Sequence, residues 1–266
     1  MLTLNYKVFG NETAPPLLIL HGLFGMLDNW QSIGQRLSER FRVYVLDQRN
    51  HGKSPWTDEH SYYDMANDLL DFVQQQQIPT KFYLLGHSMG GKTAMQFAVE
   101  HAHLLQQLIV VDIAPKTYPL GEHTSVFAAF NAMPLHQITD RKQAEQLLQQ
   151  HDLSADITQF MLKNLYRTAD NTFAWRCNVA TLETHYKSIL DNSLYFYDTT
   201  NIPTLFVKGA KSERYIELPD DEALIQHHFP NSTIKVVEGA GHWVHAEQPE
   251  PFLQLINDFL NPTLSQ

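Results

Sequence analysis

The sequence predicts an α/β fold in which helices flank a mostly parallel central sheet, with a helical cap inserted into the chain. Short apolar runs alternate with amphipathic stretches from residue 6 to about 115 and again from about 200 to 260. This alternation is typical of βαβ units, which build parallel sheets. The alternation stops between 116 and 199, where helical spacing and aromatic residues dominate.

Each predicted strand of the first 115 residues is a short apolar run closed by a turn residue such as Asn11, Gly22 or Asp47. Each predicted helix has apolar residues at helical spacing, as at Met65 and Leu69. The predicted order is strand 6–9, strand 17–20, strand 43–46, helix 63–76, strand 82–85, helix 93–100 and strand 108–111.

The alternation resumes with apolar segments at 204–207, 223–228, 234–237 and 252–260, and Pro249 marks the start of the final helix. The intervening region has helical stretches at 144–150, 157–166 and 179–189 and no convincing strand. We therefore expect a core formed by 1–115 and 200–266 and a cap formed by 116–199. A run of ordinary crossover helices is the alternative, although one crossover rarely needs so many residues.

The composition indicates a folded protein with a sizeable core, because 43% of the 266 residues are hydrophobic and only 18% are charged. The formal net charge of −10 repels nucleic-acid phosphates and anionic lipids, so neither is an expected partner. No apolar run approaches the ~18 residues of a membrane span, and the first residues do not resemble a signal peptide. A cytoplasmic location is the expectation, and the oligomeric state stays open.

The single cysteine, Cys177, cannot form an internal disulfide and is expected to be a buried thiol. The histidine pairs, such as His242 and His245, do not follow a zinc-enzyme pattern. We therefore expect neither a metal nor another cofactor.

A Gly-x-Ser-x-Gly sequence, Gly86 to Gly90, joins the strand at 82–85 to the helix at 93–100. The two glycines allow a tight turn that holds Ser88 out at the sheet edge as a nucleophile. The backbone N–H of Met89 then points toward the oxyanion. A glycine-rich turn without chemistry is the alternative.

A serine nucleophile needs a histidine base, and His242 follows the last predicted strand within a glycine-containing loop. His245 competes, but it lies nearer the final helix. His87 is expected to point to the opposite side of the turn and to serve packing.

Asp112, which ends the strand at 108–111, is the expected acid that orients His242, in the order nucleophile, acid, histidine. After the strand at 204–207, where related folds often carry an aspartate, Ser212 stands instead. Glu213 or Asp220 would be the acid if Asp112 only accepted hydrogen bonds from loop N–H groups. Ser212 is assigned to the substrate-binding residues or to the hydrogen-bond network of the acid.

The loop after the strand at 17–20 is expected to supply a second oxyanion donor, the N–H of Leu23. Phe24 and Trp243 are expected to contact the substrate, although core packing is a serious alternative for Phe24. The loop 47–54 is expected to be hydrogen-bonded beside the site and to carry no chemistry. Six cap aromatics are candidates for an apolar lid, although most are expected to form cap core; they are Phe127, Phe130, Phe160, Tyr166, Phe173 and Trp175. Lys92, Lys116 and Arg141 are expected to be solvated surface rather than a phosphate groove.

Taken together, the segments 20–22, 47–54, 86–91 and 241–242 closely resemble the α/β-hydrolase family. Within it, the segments 47–52, 111–115 and 241–247 resemble the YbfF-type esterases. The resemblance covers most of 1–115 and about 200–266, and the cap carries no recognisable motif. It implies an acid after the strand that precedes the cap, which supports Asp112, and hydrolysis of acyl esters or thioesters, including acyl-CoA.

The predicted function is therefore that of a serine esterase or thioesterase that acts on a small-molecule substrate through an acyl-serine intermediate. A carbon–carbon bond hydrolase or lyase would use the same serine and histidine. A ligand receptor without catalysis would retain them almost unused. The fold alone does not decide between these functions.

Overall fold

The computed structural model describes residues 2–121 and 123–260. Met1, Glu122 and 261–266, which fall within the predicted core and cap ranges, lie outside the described residues. Seven strands form one sheet in the order β1-β3-β2-β4-β5-β8-β9, and every neighbouring pair is parallel except β1 with β3. The strands are β1 (Tyr6–Phe9), β2 (Pro16–Leu20), β3 (Arg42–Leu46), β4 (Phe82–His87), β5 (Leu105–Val111), β8 (Thr204–Gly209) and β9 (Ser232–Val237).

Helices cover both faces of this sheet, and the α/β architecture predicted from the sequence is confirmed. On the strand β2, Leu17 and Ile19 belong to one buried core, whereas Leu18 and Leu20 belong to the other. This alternation is the expected result of a strand buried on both faces. The helices outside the inserted region are α1 (Gln31–Leu37), α2 (Tyr62–Gln75), α3 (Met89–Glu100), α9 (Glu222–His228), α10 (Val244–Glu247) and α11 (Pro249–Phe259).

The region between β5 and β8 is called the cap below, with the predicted bounds 116–199. Its helices are α4 (Thr124–Ala132), α5 (Arg141–Leu148), α6 (Ala155–Lys163), α7 (Val179–Thr184) and α8 (Tyr186–Leu190). The expectation that this region holds no strand is wrong. The strands β6 (Leu165–Arg167) and β7 (Phe173–Trp175) pair as an antiparallel hairpin. Each of these strands has three residues, too few to show a period of two, so the sequence does not predict them.

Three α-helices were not predicted from the sequence: α1, α4 and the one-turn helix α10, which is too short to show helical spacing. The helix α1 contains Gly34, which disfavours a helix, yet a Cβ atom there would lie 3.0 Å from the Val45 side chain. The glycine therefore permits close contact between helix and sheet. The helix α4 buries Val126, Phe127 and Phe130, and its apolar residues give no clear polar face.

The cap is fixed to the core by side chains as well as by its connections. Lys92 of α3 is buried and donates from Nζ to the carbonyl oxygens of Leu190 and Asp191, at 2.9 and 2.6 Å. The Asn178 N–H donates to the Asn50 carbonyl at 2.8 Å. Beside it, the thiol of Cys177 is fully buried, as expected, and burial raises its pKa to about 12. Among the described residues, no helix is long and apolar enough to cross a membrane.

Candidate active site

Ser88 lies in a tight turn between β4, the central strand of the sheet, and α3. Its backbone is in an unusual conformation, with φ of 53° and ψ of −120°. A Cβ atom on Gly86 would lie 2.1 Å from the Gly90 carbonyl oxygen, and one on Gly90 would lie 2.5 Å from the His21 carbonyl oxygen. Because neither position has room for a side chain, the two glycines are required by the turn that exposes Ser88.

Asp112 and His242 meet beside this turn. Asp112 ends the neighbouring strand β5, is fully buried and accepts a hydrogen bond from His242 Nδ1 at 2.8 Å. Its other oxygen accepts the Gly209 N–H at 2.9 Å. The structure therefore brings the side chains of Asp112 and His242 into hydrogen-bond contact. Glu213 and Asp220, the alternative acids, are both exposed, and His242 Nδ1 is already bound to Asp112.

Ser212 contacts the acid and lies outside the active-site cavity. Its side chain is buried, and its hydroxyl donates to Asp112 Oδ2, the oxygen that also binds His242. Among the described residues, those that line the active-site cavity do not include Ser212. Ser212 therefore belongs to the hydrogen-bond network of the acid, which is the second of its two expected roles.

Three hydrogen bonds hold the backbone on both sides of His242. Glu247 of α10 accepts the N–H of Gly241 at 2.7 Å and the N–H of Trp243 at 3.1 Å. His87 Nε2–H donates to the carbonyl oxygen of His242 at 2.9 Å. The expectation that His87 points away from the site is wrong, since its ring centre lies 4.7 Å from that of His242. The cause is the end of β4, which turns His87 toward the loop after β9.

Sequence reasoning missed Tyr215, whose ring stacks on the imidazole of His242. The ring centres are 3.7 Å apart and the planes differ by 16°. Tyr215 also lines the cavity. The stack restricts rotation of the imidazole about its Cβ–Cγ bond, and the hydrogen bond from Nδ1 to Asp112 also holds the ring in place. Nothing in the sequence near Tyr215 signals this contact, because the residue lies 27 positions before His242.

The loop after β2 faces Ser88. A Cβ atom on Gly22 would lie 3.1 Å from the Ser88 Cβ atom, so the two backbones are in close approach. The Gly25 N–H donates to the Gly22 carbonyl at 2.9 Å, which closes a β-turn with Leu23 and Phe24 at its centre. Met89 is the first residue of α3, so its N–H has no partner within that helix. The predicted oxyanion donors therefore lie on two segments that approach Ser88.

A cavity of about 550 Å³ opens over these residues. Ser88, His242, Leu23, Phe24 and Trp243 all line it. The cap contributes a second wall, formed by His123, Val126, Asp156, Ile157, Gln159, Phe160 and Lys163. Of the six aromatic residues proposed for a lid, Phe160 is the one that lines the cavity in the described part of the chain, and its ring lies 5.5 Å from that of Trp243. Phe127 and Phe130 instead pack on Phe24, each with ring centres 5.1 Å apart.

Lys92, Lys116 and Arg141 do not form a phosphate groove beside this cavity. Lys92 is buried beneath the cap, and Lys116 pairs with Glu217 and Asp221 at 2.8 and 2.7 Å. Arg141 donates to two backbone carbonyls of the cap. Each cation is therefore engaged in local structure. The expectation of solvated surface is wrong for Lys92, because the cap packs over α3 and buries it.

The loop 47–54 is hydrogen-bonded beside the site, as expected. Asp47 accepts the N–H of Leu27 at 2.7 Å and that of Lys53 at 2.8 Å. Arg49 makes two hydrogen bonds with the buried carboxylate of Asp68, at 2.6 and 2.9 Å. Through the contact between Asp47 and Leu27, this loop supports the segment that follows β2.

A family model for the α/β hydrolase fold matches residues 15–249 of this chain. The chain belongs to the α/β-hydrolase family. The solved structure of a marine microorganism esterase has a TM-score of 0.94 and 38% identity, and the match covers 98% of this chain and 100% of that one. The esterase YbfF of Escherichia coli is 37% identical over 92% of this chain and 93% of its own length. The mouse sn-1-specific diacylglycerol lipase ABHD11 is 36% identical over 97% of this chain and 85% of its own length.

The resemblance to YbfF-type esterases that the motifs predicted is thus confirmed for this α/β hydrolase. Its match to the marine esterase spans the cap as well as the core. The structural similarity therefore extends beyond the segments whose motifs identify the family.

Five buried histidines in the described part of this α/β hydrolase have lowered pKa values, and three of them, His21, His87 and His245, line the cavity. Burial lowers the pKa of His21 to about 4, of His51 and His245 to about 3, and of His60 to about 2. Burial also holds the pKa of His87 well below its usual value. Since the unfolded chain binds these protons near pH 6.5 and the folded chain does not, the stabilisation is present above pH 6.5 and is lost as the pH falls.

We expect the free energy of unfolding to decrease as the pH falls from 7 to 5, by up to ~1 kcal/mol per pH unit for a single such histidine. Urea unfolding at several pH values measures this slope. The variant His60→Gln should reduce the slope, because one proton uptake is removed. The exposed His136 provides the control, and His136→Gln should leave the slope unchanged. A flat stability profile between pH 7 and 5 would contradict the prediction.

Proposed function

We propose that this α/β hydrolase is a serine esterase that cleaves small or medium acyl esters, and acyl thioesters such as acyl-CoA, through an acyl-serine intermediate. The observation that carries the proposal is the 2.8 Å hydrogen bond between His242 Nδ1 and the buried Asp112, beside a cavity that Ser88 also lines. The relatives named esterases support the choice of ester bonds.

In the proposed mechanism, the Nδ1–H of His242 remains bound to Asp112, which leaves Nε2 free to accept the Ser88 proton. Ser88 Oγ attacks the carbonyl carbon. The carbonyl oxygen becomes an oxyanion that accepts hydrogen bonds from the N–H groups of Met89 and Leu23. The oxyanion collapses, the bond to the leaving oxygen or sulfur breaks, and the leaving group takes the proton from His242. Asp112 stabilises the imidazolium between these two transfers.

Water completes the cycle by the same steps. His242 takes a proton from a water molecule, whose oxygen attacks the acyl-serine carbonyl. Collapse of the second tetrahedral intermediate releases the carboxylic acid and returns the proton to Ser88. The two backbone N–H groups stabilise both intermediates, because the charge develops at the same carbonyl oxygen in each.

The cavity supports an acyl group of small or medium size. Its apolar wall includes Phe24, Phe160 and Trp243, and its volume of about 550 Å³ lies within the range of small-molecule sites. The bound acyl chain would contact these rings, while the carbonyl lies near Ser88. Phe24 and Trp243 are therefore proposed to bind substrate, and Ser212 is not.

Turnover of a matched substrate series tests the proposed function. Nitrophenyl esters with acyl chains from two to sixteen carbons, the acyl-CoA of the best chain and a vinylogous diketone are supplied to the same enzyme preparation. We expect ester turnover with an optimum at short or medium chain length. Cleavage of the diketone with little ester cleavage would favour the carbon–carbon bond hydrolase. Binding of ligands without any turnover would favour the receptor.

A further inference from the structure

Asn164 connects the cap to the loop that faces Ser88. It follows the last residue of α6 and is fully buried. Its Nδ2–H donates to the carbonyl oxygen of Phe24 at 2.7 Å, across 140 residues of sequence. Its backbone carbonyl oxygen accepts the Arg176 N–H at 2.8 Å, next to the strand β7. The backbone of Asn164 is therefore anchored in the cap, while its side chain contacts the loop after β2 through Nδ2 alone, since Oδ1 is buried without a hydrogen-bond partner among the described residues.

Phe24 occupies a backbone conformation that its own side chain does not favour. It is the third residue of the β-turn formed by 22–25, and its φ is 57°. This left-handed position of a turn is usually taken by glycine. The conformation persists only if the surroundings hold it, because an L-residue with a side chain prefers negative φ.

A second side chain holds the opposite end of the same residue. The Phe24 N–H donates to His51 Nε2 at 3.1 Å, and His51 Nδ1–H donates to the Arg49 carbonyl at 2.9 Å. Both backbone groups of Phe24 are thus bound by buried side chains, one from the core and one from the cap. Leu23, the residue directly before it, carries the proposed oxyanion donor.

We propose that Asn164 is a positioning residue that makes the docked cap part of the oxyanion hole. The inference rests on the proposed function, since it assigns a use to the Leu23 N–H. When Asn164 binds the Phe24 carbonyl, the turn 22–25 is held in the conformation that directs the Leu23 N–H toward the reacting carbonyl. When that hydrogen bond is lost, Phe24 relaxes toward negative φ and the Leu23 peptide rotates with it.

The variants Asn164→Ala and Asn164→Leu both remove the donor, and the second keeps the branched shape of the side chain. We expect kcat for a nitrophenyl ester to fall by ~10-fold to ~10²-fold, because loss of a whole oxyanion donor costs ~10²–10³ and a displaced donor loses part of that. KM should change by less than about twofold, because the ground-state carbonyl depends little on this donor.

A boronic acid provides the readout that a merely structural role would not change. It forms a tetrahedral anionic adduct with a catalytic serine, so its affinity should fall by the same factor as kcat. The matched control is Asn178→Ala, which removes another hydrogen bond between cap and core, from Asn178 Nδ2 to Asn50 Oδ1 at 3.1 Å. This contact does not involve the turn 22–25, so kcat and boronic acid affinity should stay within about twofold of wild type.

The two hypotheses fail differently. The positioning role is overturned if the Asn164 variants keep kcat within about twofold, or if Asn178→Ala loses as much kcat and boronic acid affinity as they do. Thermal unfolding of all variants identifies any loss that follows from a partly unfolded cap. The proposed function fails instead if a fluorophosphonate does not label Ser88 in the wild-type protein, whatever the Asn164 variants show.

Discussion

Replacing Ser88 with alanine is expected to remove esterase activity, with kcat reduced by about 10⁶-fold. The reason is that no acyl-serine forms without the Ser88 hydroxyl. His242 could then only activate water for direct attack on the ester. The variant should fold normally, since alanine is smaller than serine and the Ser88 side chain caps no helix in the turn.

Labelling with a fluorophosphonate probe tests the role of Ser88 as the nucleophile without a substrate. Intact mass should show a single adduct on the wild-type protein and none on Ser88→Ala. The matched control is Ser212→Ala. Ser212 lies close to the site but is hydrogen-bonded to Asp112, so this variant should still be labelled. An adduct that persists in Ser88→Ala would identify a different nucleophile and contradict the proposed mechanism.

Asp112→Asn is expected to produce the second largest loss, about 10⁴-fold in kcat, with the fold intact. The asparagine amide can donate to His242 Nδ1, which would favour the imidazole form with its proton on Nε2. That form cannot accept the Ser88 proton. The loss should appear in kcat, measured on a nitrophenyl ester near neutral pH, because the acid stabilises the imidazolium of the transition state.

Two further variants separate Asp112 from the alternative acids. Glu213→Gln and Asp220→Asn neutralise exposed carboxylates that sequence reasoning left open, and both should keep activity near that of wild type. Near-normal rates in Asp112→Asn, combined with a large loss in either of these variants, would transfer the orienting role to that carboxylate.

The positions of Ser88, Asp112 and His242 could be predicted because each follows a strand of a parallel sheet. The carboxyl ends of such strands meet at one edge, so a motif after a strand fixes where its side chain lies. The turn at Ser88 adds a glycine requirement that is visible in the sequence. The fold was predicted for the same reason, since apolar runs of four or more residues identify the strands.

The supporting residues could not be predicted, because their contacts depend on how distant segments pack. Asn164 lies at a helix end whose partner is 140 residues away, and the stack of Tyr215 on His242 crosses between two loops. Glu247 is the exception. A carboxylate five residues after His242, at the end of a one-turn helix, is within reach of the preceding N–H groups, and this spacing could have identified it.

The buried thiol of Cys177 can report how often the structure around it opens. Because the chain has one cysteine, any alkylation by a thiol reagent reports on this position alone. The closed molecule resists alkylation twice, through complete burial and through a pKa of about 12 that keeps the sulfur protonated. Modification then proceeds only from opened molecules, so its rate follows the local opening equilibrium at the junction of cap and core.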